Sequence, residues 1–154
     1  MSAERDVVTV ERRIEAPPEA IFELLTHPDR HCDIDGSGTV RGPKGETQPL
    51  EMGSKFGMSM HMGVPYSMVS TVIEYEANRR LAWQTTGPGP VGAHVGGRIW
   101  RYELQPVDGG TLVRETWDIR KESALTRPIV RRGATQTRKN MAATLERIEK
   151  IVTA

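Results

Sequence analysis

Several features that mark other classes of protein are scarce in this chain. It contains one cysteine, Cys32, so it cannot form an internal disulfide or build a cysteine-based zinc site by itself. It has no run of about 18 apolar residues, which argues against a membrane-spanning helix. The net charge is only +1, unlike that of a protein that coats nucleic acid. The charged first residues lack the apolar core of a signal peptide, so we expect a cytoplasmic protein without a nucleic-acid partner.

The composition that is present favours a turn-rich fold. The 154 residues are enough for one compact unit, and we expect a single domain over residues 1–154. The 15 glycines and 10 prolines are more typical of many short strands than of a helical bundle.

Alternation of apolar and polar residues predicts the strands. The clearest case is Phe56, Met58, Met60 and Met62, which alternate with small or polar residues. Further strands are predicted over residues 7–15, 39–41, 66–75, 80–85, 98–104 and 111–119. The polar stretch 42–49 predicts an exposed loop, and the glycines of 87–97 predict a second, flexible one.

Helices are predicted near both ends of the chain. Pro17 and Pro18 precede apolar residues at helical spacing, and a second short helical turn is expected over residues 29–32. The last apolar stripe runs from Ala134 to Val152 and predicts a long helix. Strands followed by a helix that must cover them indicate an α+β domain.

Four segments resemble the START-like (SRPBCC) superfamily and, within it, the polyketide cyclase/dehydrase and lipid-transport group. They are VERRIEAPPEAIFELL at 10–25, DGSG at 35–38, RIWRYEL at 98–104 and GTLVRETW at 110–117. The resemblance implies a helix-grip fold, in which a curved antiparallel sheet of about six to seven strands wraps around a long C-terminal helix. It also implies a largely apolar cavity between the sheet and that helix.

Methionine-rich and aromatic strands suit the wall of such a cavity, because methionine is flexible and polarizable. The same side chains would equally suit an ordinary core. The candidate ligand-binding residues are Phe56, Met58, Met60, Tyr66, Met68, Trp83, Trp100, Glu115, Trp117, Met141 and Leu145.

Glu115 is the most informative polar candidate. It shares a strand face with Trp117, so if that face points inward the carboxyl lies inside the protein and its pKa is raised; if outward, Glu115 is solvated. The resemblance implies that relatives with enzymatic activity use arginine, tyrosine and carboxylate groups in the pocket. The catalytic candidates are therefore Glu115, Asp33, Asp35 and Tyr66, with Arg98 or Arg114 beside them.

The sequence gives little support for a metal site or cofactor. Residues 33–38 begin like a calcium loop, but the twelfth position is Lys44 and not glutamate, so we expect an Asx-turn instead. His27 and His31 are four residues apart, yet Pro28 follows the first. Phosphate-loop signatures also fail, and we expect neither a metal nor a cofactor.

Charge is distributed unevenly. Residues 120–150 contain nine Lys or Arg against three Glu, which offers a basic interaction surface. Three functions therefore stay open: a carrier of a hydrophobic small molecule, a polyketide cyclase or dehydrase, and a regulatory protein that acts through the basic segment. We expect a monomer or homodimer.

Overall fold

The computed structural model describes residues 6–44, 47–92 and 94–154. The strands are β1 (Val7–Ile14), β2 (Val40–Lys44), β3 (Lys55–Met62), β4 (Val64–Glu76), β5 (Arg80–Thr86), β6 (Gly96–Val107) and β7 (Gly110–Asp118). The helices are α1 (Pro18–Thr26), α2 (His31–Ile34), α3 (Gly89–Gly92), α4 (Arg127–Arg132) and α5 (Ala134–Val152), with a 3₁₀ turn at Pro28–Arg30. No helix in this described part of the chain combines the length and apolar character needed to cross a membrane.

The strands form one antiparallel sheet in the order β1-β7-β6-β5-β4-β3-β2. The chain enters at β1, crosses to the opposite edge at β2, and returns strand by strand to β7 beside β1. The α+β helix-grip architecture expected from the sequence is confirmed.

The inner face of the sheet follows from the pairing register. Val10, Glu115, Tyr102 and Leu81 lie opposite one another on β1, β7, β6 and β5. The next inner row toward the start of β1 is Val8, Trp117, Trp100 and Trp83. Side chains alternate between faces, so the intervening residues point outward.

Helix α5 covers this inner face. Its stripe of Met141, Leu145 and Ile148 is buried, and its bounds match the helix predicted from the sequence. Helix α1 adds buried side chains that include Ile21 and Leu25. Most helical stability in proteins comes from burial of such a face, because isolated helices are marginal in water.

The turn after α2 is fastened to α5. Asp35 Oδ1 accepts hydrogen bonds from the Ser37 amide at 3.0 Å and the Ser37 hydroxyl at 2.6 Å, which confirms the expected Asx-turn. The amide of Gly36 donates to Thr144 Oγ1 at 2.9 Å. A Cβ at Gly36 would lie 2.2 Å from the carbonyl oxygen of Asn140, so only glycine permits this close approach.

Several segments differ from the sequence prediction. Within the loop predicted over residues 87–97, residues 89–92 form α3 and residues 96 and 97 begin β6. Residues 42–44 were expected in a loop but continue β2, because Pro43 and Lys44 pair with β3. β2 is an edge strand, where a proline is tolerated. Residues 64 and 65 lie outside the strand predicted over 66–75 but begin β4, since the chain reverses tightly at Gly63 with φ of 75°. Of the predicted 42–49 loop, residues 45 and 46 lie outside the described residues.

Candidate functional site

A carboxyl group and a phenol lie side by side in the middle of the inner face. Glu115 on β7 is directly opposite Tyr102 on β6, and both are buried. The Tyr102 phenol lies next to the Glu115 carboxyl, and hydrogen bonding between the two acts to raise the pKa of Tyr102 and to lower that of Glu115. Among the described residues, Glu115 Oε1 has no hydrogen-bond partner. Glu115 is only 2% exposed, so this oxygen is also cut off from water.

Burial dominates the electrostatics of this pair. It raises the pKa of Glu115 to about 8, although the hydrogen bond from Tyr102 acts in the opposite direction. Burial also raises the pKa of Tyr102 well above its ordinary value, and the negative charge of Glu115 adds to that effect. The Asp35 carboxylate raises both pKa values further. At neutral pH the pair is therefore mostly uncharged, and in most molecules Glu115 carries a proton that it can donate.

Large aromatic side chains surround the pair. Trp100 and Trp117 lie in the adjacent inner row, with ring centroids 6.5 Å apart. Trp83 lies diagonally from Tyr102 at 5.7 Å. Met141 on α5 packs in the same apolar cluster as Trp117. The surroundings of Glu115 are thus apolar rings and methionine, with a polar group at their centre.

A second group of rings adjoins the first. His31 stacks on Trp83 at 5.2 Å and meets Phe56 edge-on at 5.5 Å. Its Nε2 lies 2.8 Å from the carbonyl oxygen of Leu25, which assigns the proton to that nitrogen. Burial lowers the pKa of His31 to about 4, so the ring is neutral. Sequence reasoning had weighed His31 only as a metal ligand, and spacing carries no signal for this packing.

Coverage of the inner face decreases toward β3 and β4. Phe56 and Met58 are buried, whereas Met60 and Met68 are only half-buried. Tyr66 is 37% exposed and Val64 is 65% exposed near the β3–β4 turn. We call this margin, at the β3–β4 turn, the open end. Phe56 also borders a 270 Å³ pocket shared with Pro28 and Leu50.

The remaining sequence candidates separate into inner and outer positions. Leu145 is buried in the core, in the same cluster as Tyr102. Asp33 lies on the surface, where Arg30 Nε donates to its carboxylate at 2.9 Å. Arg114 is on the outer face of β7 and pairs with Glu11. The structure therefore brings Asp35 toward Glu115 and leaves Asp33 and Arg114 outside; the Met62 side chain lies outside the described residues.

A buried ion pair that sequence reasoning missed joins β6 to the segment before α4. Arg98 donates to both oxygens of Glu122 at 3.3 Å, and the Glu122 side chain is completely buried. Thr126 Oγ1 donates to the same carboxylate. The guanidinium nitrogen Nη2 of Arg127 donates to the Glu122 carbonyl oxygen at 2.7 Å. The partners are far apart in sequence, so no local pattern announces them.

Part of the basic segment is engaged in contacts within the chain. Arg120 pairs with Asp118 at 2.7 Å, and Arg131 pairs with Asp6 at 2.6 Å. Together with Arg127 on its carbonyl oxygens, these contacts take up part of the positive charge that the sequence offered for an interaction surface. No group of three or more potential metal-ligating side chains occurs within residues 6–44, 47–92 and 94–154.

Comparison with known proteins agrees with this architecture. Residues 5–153 match the sequence profile described as polyketide cyclase / dehydrase and lipid transport. The chain belongs to this family. The match covers almost the whole sequence and confirms the resemblance seen in its four segments.

The individual relatives say less about function than the family match does. The uncharacterized protein Rv0088 of Mycobacterium tuberculosis H37Rv is 34% identical over 120 residues, covering 75% of this chain and 50% of that protein. The chain thus spans about half the length of the curated relatives it matches.

Two solved structures share the fold at low identity. Protein Ms6760 of Mycobacterium smegmatis has a TM-score of 0.72 and 13% identity, covering 98% of this chain and 93% of that one. The Aha1 dimer of Colwellia psychrerythraea has a TM-score of 0.65 and 18% identity, covering 95% of each chain. At these identities the likeness establishes the fold alone.

Proposed function

We propose that the chain binds a hydrophobic small molecule, such as a lipid, fatty acyl or polyketide-like compound, between the inner face of the sheet and α5. The observation that carries this proposal is the buried, incompletely partnered carboxyl of Glu115 among tryptophan and methionine side chains. A purely structural core gains little from such a group, because a buried polar atom without a partner costs about 1–3 kcal/mol. The family description, which names lipid transport, supports the same proposal.

The open end supports a route for the ligand. Met60 and Met68 lie on the inner face yet stay half-buried, so apolar surface faces solvent where the sheet is least covered. Methionine side chains adapt to ligands of different shape at little cost. The candidate ligand-binding residues named from the sequence are part of this proposal as a set.

Native mass spectrometry of the purified chain tests the proposal. We expect a co-purifying apolar molecule, and a Met68→Lys variant should lose it because the new charge enters the inner face. Val69→Lys is the matched control, since Val69 is the next residue of β4, points outward and is also half-buried. Equal loss in both variants, or a bare wild-type protein that binds no added lipid, contradicts the proposal.

The Glu115–Tyr102 pair also favours a second candidate function, proton transfer on a bound polyketide-like compound. A carboxyl with a pKa of about 8 is ionised in part at neutral pH and exchanges protons readily. Ionised Glu115 would accept a proton from the carbon next to a ligand carbonyl, and the resulting acid would return it. Deuterium exchange into such a ligand, abolished in Glu115→Gln while binding is kept, tests this candidate. Exchange that persists in that variant contradicts it.

Three expectations from the sequence stay predictions. They are one domain spanning residues 1–154, a monomer or homodimer, and a cytoplasmic location. Sedimentation of the purified chain and fractionation of cells that express it would check the last two.

A further inference from the structure

The Glu115 carboxyl is an unfilled hydrogen-bonding position inside the protein. Its Oε1 has no partner among the described residues, while the Tyr102 hydroxyl already engages the same carboxyl. A ligand group placed there would gain a hydrogen bond and remove the cost of an unpaired buried atom. The polar group of the ligand is therefore expected at this point.

Positive charge on the inner face is already neutralised. Among the residues that the structure describes, two guanidinium groups share that face with Glu115. Arg12 on β1 pairs with Glu149 of α5 at 2.7 Å, and Arg98 on β6 pairs with Glu122 at 3.3 Å. A buried anion needs a nearby cation to offset the loss of hydration. Neither of these groups is free to supply it.

The other groups that face this position do not favour an anion either. Asp35, from the turn after α2, is itself acidic and acts on both members of the pair. His31 is buried and neutral, with Nε2 committed to a carbonyl oxygen. Opposite Glu115, β1 presents Val10, and α5 adds Met141 and Leu145 to the adjoining apolar clusters.

We propose that the ligand is an uncharged amphiphile whose hydroxyl, carbonyl or amide group lies against Glu115 and Tyr102. This inference rests on the proposed binding of a hydrophobic molecule and narrows its chemical class. Protonated Glu115 can donate to a carbonyl oxygen or accept from a hydroxyl, so a neutral polar group of either type is matched. A long-chain carboxylate would place a third acid beside Glu115 and Asp35.

The protonation of Glu115 gives the inference a pH signature. The carboxyl is neutral below its pKa of about 8. A neutral ligand whose polar group is hydrogen-bonded to the protonated carboxyl stabilises that form and disfavours ionisation further. Affinity should therefore fall as the pH rises above that value, because ionised Glu115 must take up a proton before the ligand binds. Tyr102 stays protonated throughout, since its pKa is raised.

Three ligands with the same twelve-carbon chain test the inference: dodecanol, dodecanoate and dodecylamine. Their affinities for the full chain are measured at pH 7 by the change in tryptophan fluorescence. We expect dodecanol to bind at least about tenfold more tightly than dodecanoate, the factor that one buried hydrogen bond supplies. Between pH 7 and 9.5 the affinity for dodecanol should fall several-fold in the wild type and stay constant in Glu115→Gln.

Glu103→Gln is the matched control, because Glu103 lies next to Tyr102 on β6 but points outward to Arg80. It should keep the wild-type pH dependence. Equal or tighter binding of dodecanoate, or tightest binding of dodecylamine, overturns the inference and leaves hydrophobic binding intact. Failure of all three compounds to bind overturns the proposed function as well.

Discussion

Two rows of residues, one position apart on the same four strands, place their acidic side chains in opposite environments. One row pairs its acids with arginines near the surface, and the other, within the part of the chain that the structure describes, buries its acid without a cation. The outer row is Glu11, Arg114, Glu103 and Arg80; in it Arg114 pairs with Glu11 and Arg80 pairs with Glu103, all partly exposed. The inner row is Val10, Glu115, Tyr102 and Leu81, where the acid has a phenol for a neighbour and no cation among the described residues.

The difference separates what the fold needs from what a ligand needs. Exposed ion pairs contribute roughly 0–1 kcal/mol each, so the outer row is replaceable. A buried acid without a cation destabilises the fold, and its pKa shift measures that cost directly. A group that weakens the protein where a hydrophobic side chain would strengthen it is consistent with the proposed ligand-binding role of Glu115.

The largest expected effect comes from Glu115→Gln. In the unfolded chain Glu115 titrates near 4.5, while in the folded protein its pKa is about 8. The wild type is therefore fully stable in this respect below about pH 4.5 and loses stability as the pH rises toward 8. The variant should gain about 4–5 kcal/mol in unfolding free energy over the wild type by pH 8 and above. Denaturant titrations between pH 5 and 9 measure it, and parallel curves for the two proteins would show that the carboxyl is not shifted.

Arg98→Met should have the next largest effect on stability. It leaves the completely buried Glu122 side chain without its cation, which we expect to cost about 3–4 kcal/mol. Thermal unfolding of the variant checks this. Adding Glu122→Gln to it should restore part of the loss, because the uncompensated charge is then gone. A single variant within about 1 kcal/mol of the wild type would disprove a structural role for the pair.

His31→Gln tests whether another buried titratable group on the inner side of the sheet lowers stability, here at acidic pH. The pKa of His31 is lowered from 6.5 to about 4, so its contribution is complete above pH 6.5 and is lost as the pH falls toward 4. The wild type should lose about 3 kcal/mol more than the variant over that range. Glutamine keeps a donor for the Leu25 carbonyl oxygen. If wild type and variant lose stability equally between pH 7 and 4, His31 is not buried as a neutral ring.

Glu103→Gln should have the smallest effect. The side chain is partly exposed and pairs with Arg80 at 3.1 Å, so its loss should change the unfolding free energy by less than about 1 kcal/mol. Added salt should reduce even that difference, because it screens exposed charges. A loss of unfolding free energy as large as that of Arg98→Met would mean that the outer row contributes strongly to the stability of the sheet, contrary to the comparison above.

Much of the fold could be predicted from the sequence because its signals are local. Alternation identified the strand of Phe56, Met58 and Met60, and the apolar stripe fixed both ends of α5. Where β2 was shortened in the prediction, Pro43 and its neighbours looked like a loop. Pairing with β3 decided otherwise, since strand formation depends on the partner more than on composition.

The site was harder to predict from the sequence because its contacts join residues that are far apart along the chain. The shared phase of Glu115 and Trp117 was visible, but which face is inner depends on the whole sheet. Asp33 and Asp35 are two residues apart, and only the fold shows that the first pairs with Arg30 while the second lies near Glu115. The contact between Arg98 and Glu122 joins separate elements and leaves no trace in either segment alone.

The bond between Gly36 and Thr144 has a mechanical consequence. It fixes the middle of α5 to the turn that carries Asp35, so this side of the fold is held in place. If the proposed ligand binds, we expect the hairpin of β3 and β4, with its flexible methionine side chains, to adjust to a bulky molecule more readily than this fixed side of the fold.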